Sequence, residues 1–109
     1  MHELAITESL VECVCENVGD ARVVRVALEI GRLSGVSPAA IRACFDACAR
    51  GTALEAAALD VVEIAGGARC ERCGAEFEIS DFTAMCVCGS TDLKVVRGEE
   101  LRIRGVEVI

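Results

Sequence analysis

The fold of this 109-residue chain is decided by the stretch Val24-Arg25-Val26-Ala27-Leu28-Glu29-Ile30. Every second residue of the stretch is a large aliphatic one, and charged or small residues stand between them. A period of two residues is typical of a β-strand that buries one face. The sequence therefore predicts a sheet with one apolar side that other elements must cover.

Two segments with helical spacing flank this strand. Residues 4 to 18 place apolar side chains three and four positions apart and stop at Gly19. The second segment follows Ser37, which we predict to be the N-cap, with Pro38 in the first helical position, and it ends at Gly51. Each helix has one apolar side.

Two further strands are predicted on either side of an insertion. The first runs from Leu59 to Ala65, before Gly66-Gly67, and the second begins at Leu101. In the last strand the alternation changes phase at Gly105, which indicates a β-bulge.

These elements give the order helix, strand, helix, strand, insertion, strand. We predict an α/β fold in which two helices pack on a three-stranded sheet, with an inserted zinc-ribbon-like module. The expected domains are residues 1–66 plus 98–109 for the α/β domain and residues 67–97 for the module.

Four of the eight cysteines form two close pairs in the insertion: Cys70 and Cys73, then Cys86 and Cys88, with a glycine after each pair. Such pairs suit a tetrahedral thiolate site for Zn(II). Because all four positions would be filled by sulfur, the site is expected to be structural. A redox dithiol, an iron site and unpaired thiols are the alternatives.

The other four cysteines are interpreted as small apolar side chains. Cys44 and Cys48 lie one turn apart on the apolar stripe of the second helix, a spacing that can also chelate a metal. Cys13 falls on the apolar face of the first helix, and the role of Cys15 is open.

Composition excludes several classes of partner. The chain has 18 acidic and 11 basic residues, a formal net charge of -7, and only three aromatic residues. We therefore expect no binding to nucleic acid, which needs clustered cations. No uncharged apolar run is long enough for a membrane span, and the N-terminus lacks the features of a secretory signal, so a reducing cytoplasm is expected.

The only histidine is His2, next to the N-terminal amine of Met1. An amine, a backbone nitrogen and an imidazole can converge on one ion in nearly planar geometry, which suits Ni(II) or Cu(II). A surface histidine without a metal is the alternative interpretation.

Taken together, these features resemble the HypA/HybF family of nickel metallochaperones for nickel-iron hydrogenase maturation. The resemblance covers essentially the whole chain. It is carried by Met1-His2-Glu3-Leu4, the strand ending in Ile30-Gly31, the segment from Gly51-Thr52 to Leu59, the cysteine module with Cys88-Gly89-Ser90, and the closing strand.

The resemblance implies a function as well as a fold. It makes His2 the principal nickel ligand, joined by the Met1 amine and backbone nitrogens, with Glu3 as the adjacent acidic contributor. It implies structural zinc on the four module cysteines. It also implies a carrier, not an enzyme, that docks with a hydrogenase-maturation GTPase and delivers nickel to the hydrogenase large-subunit precursor.

One position departs from the family pattern. The family's second pair is Cys-Pro-x-Cys, whereas an ungapped match here places Met85 at the first cysteine. Either Cys86 replaces that ligand through a one-residue deletion, or the site is altered. No histidine borders the module, which excludes a mixed cysteine and histidine site.

The residues themselves agree with a carrier. The sequence contains no visible pair of nucleophile and base and no phosphate-binding glycine loop. The alternative function is a zinc-ribbon protein-interaction scaffold without nickel. A thiol oxidoreductase using Cys70 and Cys73 would need a strand-to-helix placement that the pattern does not predict.

Overall fold

The structure is a computed structural model that describes residues 2 to 109. It contains two helices, α1 (Glu3–Val18) and α2 (Pro38–Ala49). The six strands are β1 (Val23–Gly31), β2 (Ala58–Ile64), β3 (Gly66–Cys70), β4 (Glu76–Ile79), β5 (Leu93–Arg97) and β6 (Leu101–Val108).

The first sheet has three strands in the order β2-β1-β6, with β1 in the centre. Strands β1 and β2 run parallel and are joined through α2, as the geometry of parallel neighbours requires. Strand β6 closes the other side in antiparallel orientation. The predicted α/β fold is confirmed, and the alternating stretch is its middle strand.

The sheet contains two irregularities, of which the sequence predicted one. The pairing of β1 with β6 shifts between Ala27 and Leu28, opposite Gly105, and this confirms the predicted bulge. A second shift lies around Val24. Because of it Val24 is exposed and Val23 is buried, so the inward face begins one residue earlier than the alternation indicates.

Both helices contribute to one hydrophobic core over β1. From the sheet Leu28 and Ile30 are almost completely buried, and Ile41 of α2 and Leu54 of the following loop are equally inaccessible. In α1 the buried face is centred on Thr7, whose hydroxyl donates to the Glu3 carbonyl oxygen at 2.7 Å. Neither helix of the described residues has the length and apolar character that crossing a membrane requires.

The start of α2 follows the sequence prediction. The Ser37 hydroxyl accepts a hydrogen bond from the Ala40 backbone N–H at 3.2 Å, and Pro38 occupies the first turn. A serine cap followed by proline satisfies one free backbone donor and pre-sets the helical backbone. The position of this helix start matters below, because α1 begins beside it.

The inserted segment forms a second three-stranded sheet in the order β4-β3-β5, with both pairings antiparallel. The pair Gly66-Gly67 does not end the preceding strand region, as we expected, but starts β3. The two sheets follow one another along a molecule with dimensions of 54 × 23 × 18 Å.

The two sheets meet where three glycine backbones approach one another, and we call Gly31, Leu33, Gly66 and Gly98 the glycine junction. A Cβ on Gly31 would lie 2.0 Å from the Gly98 carbonyl oxygen, and one on Gly98 would lie 2.6 Å from the Gly66 Cα. The Leu33 N–H donates to the Gly98 carbonyl at 2.7 Å. Any side chain on Gly31 or Gly98 would therefore force the strands apart.

We expect Gly31→Ala to destabilise the protein by about 3 kcal/mol or more. This is at or above the top of the range of destabilisation found when extra atoms are forced into a packed site, because the obstructing atoms here belong to the backbone. The matched control is Gly105→Ala, also in a strand of the first sheet, where an added Cβ meets nothing within 4 Å. Its change should stay within about 0.5 kcal/mol. Urea unfolding of both variants measures these changes, and equal stability of the two variants would contradict the close approach of the glycine backbones.

Candidate metal centres

The four cysteines of the insertion converge at one end of the second sheet. Their sulfur atoms all lie within 4.8 Å of one another. The Sγ atoms of Cys70 and Cys88 are 3.7 Å apart, and those of Cys73 and Cys86 are 3.6 Å apart. A tetrahedral zinc with Zn–S bonds of about 2.3 Å separates its sulfurs by about 3.8 Å. The spacing of the two close pairs therefore fits zinc.

The first turn of the site grows out of β3, which ends at Cys70. The Gly74 N–H donates to the Cys70 carbonyl oxygen at 2.9 Å, and Gly74 has φ of 80°. Glycine adopts this left-handed backbone without steric cost. The turn brings Cys73 back toward Cys70, and the Cys73 N–H points at the Cys70 sulfur at 3.4 Å.

The second turn runs from Cys86 to Ser90. The Gly89 N–H donates to the Cys86 carbonyl oxygen, and the Cys86 N–H donates to the Ser90 carbonyl oxygen, both at 2.9 Å. Cys86 is 3% exposed, whereas the preceding Met85 is 60% exposed. Of the two possibilities left open by the sequence, the structure places Cys86 in the sulfur cluster and turns Met85 outward.

The surroundings of the cluster change the pKa values of two of these thiols. The backbone N–H of Cys73 stabilises a negative charge on the Cys70 sulfur and lowers the pKa of this thiol to about 6. For Cys73 the backbone N–H of Ala75 acts to lower the pKa, but hydrogen bonds with the sulfurs of Cys86 and Cys70 raise it overall. The lowered pKa of Cys70 therefore favours the deprotonated sulfur that binds a metal.

The donor set also decides the kind of site. Within residues 2 to 109 this is the only group of three or more candidate ligands whose donor atoms lie within 4.8 Å. Four sulfurs complete a tetrahedral coordination shell, so a zinc ion held there would cross-link the two turns and leave no position for a substrate.

The predicted nickel ligands lie at the start of α1, and Met1 among them is outside the described residues. His2 is the N-cap of α1 and is exposed. Its side chain makes no capping hydrogen bond, while its carbonyl oxygen accepts from the Ile6 N–H at 3.1 Å. Among the described residues, the imidazole of His2 is therefore exposed at the helix start and does not cap the helix.

Glu3 is tied to the start of the other helix. One carboxylate oxygen accepts a hydrogen bond from the Ser37 backbone N–H at 3.0 Å. This hydrogen bond is the main cause of a lowered pKa of the Glu3 carboxyl. The two residues are 34 positions apart, and no local sequence signal indicates that they meet.

The remaining cysteines divide differently from the sequence prediction. Cys13 is exposed, although its spacing placed it on the apolar face. Cys15 and Cys48 are half-buried and pack against the core. Cys44 is also half-buried, but it does not belong to the core cluster and instead lines a groove between α1 and α2.

Comparison with known proteins agrees with this architecture. The sequence model of a family described as "Hydrogenase/urease nickel incorporation, metallochaperone, hypA" matches residues 1 to 108. A hydrogenase maturation factor HypA of Trichormus variabilis is 49% identical over 108 residues, covering 99% of this chain and 96% of the relative. The factor of the same name from Geotalea daltonii is 44% identical over 110 residues, with full coverage of both chains.

Two solved structures share the fold. The solution structure of the nickel metallochaperone HypA from Helicobacter pylori superposes with a TM-score of 0.67 at 23% identity, over 100% of this chain and 98% of that one. A second HypA solution structure gives a TM-score of 0.71 at 24% identity, with 100% and 97% coverage. With a family match along nearly its whole length and relatives close to half identical, this chain belongs to the HypA family.

Proposed function

We propose that this chain is a nickel metallochaperone that binds Ni(II) at its N-terminus. We further propose that it works in the cytoplasm with a hydrogenase-maturation GTPase and delivers the ion to the nickel-iron hydrogenase large-subunit precursor. The observation that carries the proposal is the exposed, uncapped imidazole of His2 at the first turn of α1 in a chain of the HypA family.

The start of α1 offers backbone nitrogens as well as the imidazole. The first N–H groups of a helix have no partner within the helix, so a metal that replaces their protons breaks no helical hydrogen bond. His2 and Glu3 supply such nitrogens, and the Met1 amine would add another. Deprotonated amide, amine and imidazole nitrogens form the tetragonal set that Ni(II) and Cu(II) favour.

The exposure of the terminal site suits delivery. His2 is open to solvent, so an acceptor can approach the ion and replace its ligands one at a time. A buried cage would require opening of the fold before release. A carrier that hands over its cargo by ligand exchange therefore benefits from a site at an accessible end.

We propose that Cys70, Cys73, Cys86 and Cys88 hold a resident zinc ion. The segment between the two turns contributes little buried apolar surface, with Ile79 buried and Phe82 65% exposed. Zinc bound by four thiolates would supply the missing cross-link, because metal binding and folding share one free energy in such modules. Its role is structural.

We expect His2→Ala to lower nickel affinity strongly, because a direct ligand is lost. Removing a residue that only supports a ligand costs about ten- to a hundredfold in affinity, and the loss here should be larger. Adding one residue before Met1 should have the same effect. Zinc content and the unfolding midpoint should not change. Isothermal titration of untagged protein with Ni(II), together with zinc analysis, measures these quantities.

Equal nickel affinity in wild type, His2→Ala and the extended chain would rule out a terminal site. Together with about one zinc per chain, that result would favour the alternative of a protein-interaction scaffold without nickel. Because binding releases protons from the nitrogen ligands, affinity for nickel in wild type should also fall as the pH is lowered.

The hydrogen bond between Glu3 and Ser37 has its own pH signature. The pKa of the Glu3 carboxyl is lower in the folded protein than in the unfolded chain. The stabilisation from the charged acceptor is therefore fully present above the pKa of the unfolded chain and is lost as the pH falls through the pKa of the folded protein. In NMR the Ser37 amide proton of metal-free protein should titrate with an apparent pKa below 4.5, the ordinary value for the carboxyl. In Glu3→Gln, which keeps an acceptor oxygen without the charge, that titration should disappear. An unchanged titration in the variant would assign it to another group.

The zinc site is tested by exchanging single cysteines. Cys70→Ser and Cys86→Ser should each reduce the bound zinc from about one per chain to a small fraction and should broaden the amide signals of the module. Cys13→Ser is the matched control, since Cys13 is exposed on α1 and away from the cluster. Full zinc content in Cys86→Ser would mean that three thiolates and another donor hold the ion.

A further inference from the structure

A groove between the two helices is lined by side chains of three kinds that can bind metals. The helix N-termini meet through Glu3 and Ser37, and from there the helices run side by side in the same direction. Between them lies an open groove of about 520 Å³, to which His2, Glu8 and Cys44 contribute an imidazole, a carboxylate and a thiol.

The walls of the groove follow from helical spacing. On α1, Leu4 and Glu8 are one turn apart, and on α2, Ala40 and Cys44 are one turn apart. The small side chain of Ala40 leaves room between the helices near His2. The groove thus leads from the proposed nickel terminus to Cys44.

Cys44 is a thiol that belongs neither to the core cluster nor to the sulfur cluster. It is half-buried, it packs outside the core cluster, and it is not part of the sulfur cluster in the insertion. One turn beyond Cys44, burial and then the negative charge of Glu8 raise the pKa of the Cys48 thiol, so this carboxylate acts on the same part of α2. A cation placed in the groove would therefore meet both a carboxylate and a thiol.

We infer that this groove is a second nickel station, in which the Cys44 thiolate and the Glu8 carboxylate receive the ion from the terminal nitrogens while His2 stays bound. The inference rests on the proposed nickel binding at the N-terminus. The metal remains Ni(II) throughout. On transfer Cys44 loses its proton to solvent, and the terminal nitrogens that release the ion regain theirs.

The station would form around the ion. In the described residues the three donor atoms do not all lie within 4.8 Å of one another, unlike those of the cysteine cluster. His2 and Glu8 are both exposed, so their side chains can change rotamer and turn into the groove. The bond from a thiolate to nickel is more covalent than the bond from a carboxylate or from water, and a nickel–thiolate complex absorbs light in a charge-transfer band.

The test is a titration of the untagged, zinc-loaded chain with Ni(II), followed by near-ultraviolet absorption and by zinc analysis at each point. Wild type should develop a thiolate-to-nickel charge-transfer band that saturates at about one nickel per chain, without loss of zinc. The band should be absent in both Cys44→Ala and Cys44→Ser. It should persist in the matched control Cys48→Ala, which removes a half-buried thiol from the same helix.

A second pair of variants tests the carboxylate. Glu8→Gln keeps an oxygen at the ligand position and removes only its charge, so it should weaken nickel binding by about tenfold, less than the loss of a whole ligand. Glu12→Gln changes the same charge in the same exposed row but does not line the groove, so it should bind as wild type does. Equal weakening in both variants would reduce the role of Glu8 to general electrostatics and would overturn its place in the station.

Two further outcomes separate the inference from the function on which it rests. If nickel binds in a manner that depends on His2 but no thiolate band appears, or if the band survives in Cys44→Ala, the second station is wrong and the terminal site stands. If nickel does not bind wild type, or binds it independently of His2, the proposed function fails and the station fails with it.

Discussion

The close approach of Gly31 to Gly98 is the constraint on which the rest of the structure depends. Strand β1 can end against the second sheet only because Gly31 and Gly98 have no side chain. The chain then leaves β1 through Leu33, which is held by the Gly98 carbonyl, and reaches Ser37 at the start of α2. Since Glu3 accepts from the Ser37 N–H, the first turn of α1 is attached to the same connection.

The proposed zinc and nickel sites are therefore connected through the fold although they share no ligand. The insertion leaves the first sheet at the ends of β1 and β2, and α1 begins at that same end, beside Ser37. Residues 32 to 37 contact Gly98 near the second sheet through Leu33, and Glu3 in the first turn of α1 through Ser37. One short segment therefore connects the insertion to the start of α1.

The parts of this structure that depend on local chemistry could be predicted from the sequence, and the parts that depend on distant contacts could not. The alternation in β1 from Val26 onward, the Ser37-Pro38 helix start and the bulge at Gly105 are local signals, and each is confirmed. The bond between Glu3 and Ser37 joins residues far apart in the chain, and no spacing rule indicates it.

The cysteines illustrate the same division. The pairs in the insertion carry their own turns and glycines, so their convergence follows from spacing. On the helices the assignment depends on which residues the neighbouring elements cover: Cys13, interpreted as a core residue, is exposed, and Cys15, whose role was open, packs against the core. The apolar stripe of α2 predicts a core position for Cys44, and this prediction is wrong because Cys44 lines the groove outside the core cluster. The groove beside it exists only because α1 and α2 start together.

The common starting point of α1 and α2 has an electrostatic consequence. Each helix carries the equivalent of about half a positive charge at its N-terminus, and here the two positive ends lie side by side at His2 and Ser37. This field opposes a bare dication but favours ligands that have lost a proton, such as an amide nitrogen. In the proposed nickel site the macrodipoles would therefore stabilise anionic nitrogen ligands and repel the ion itself, and these opposite effects would keep the ion exchangeable.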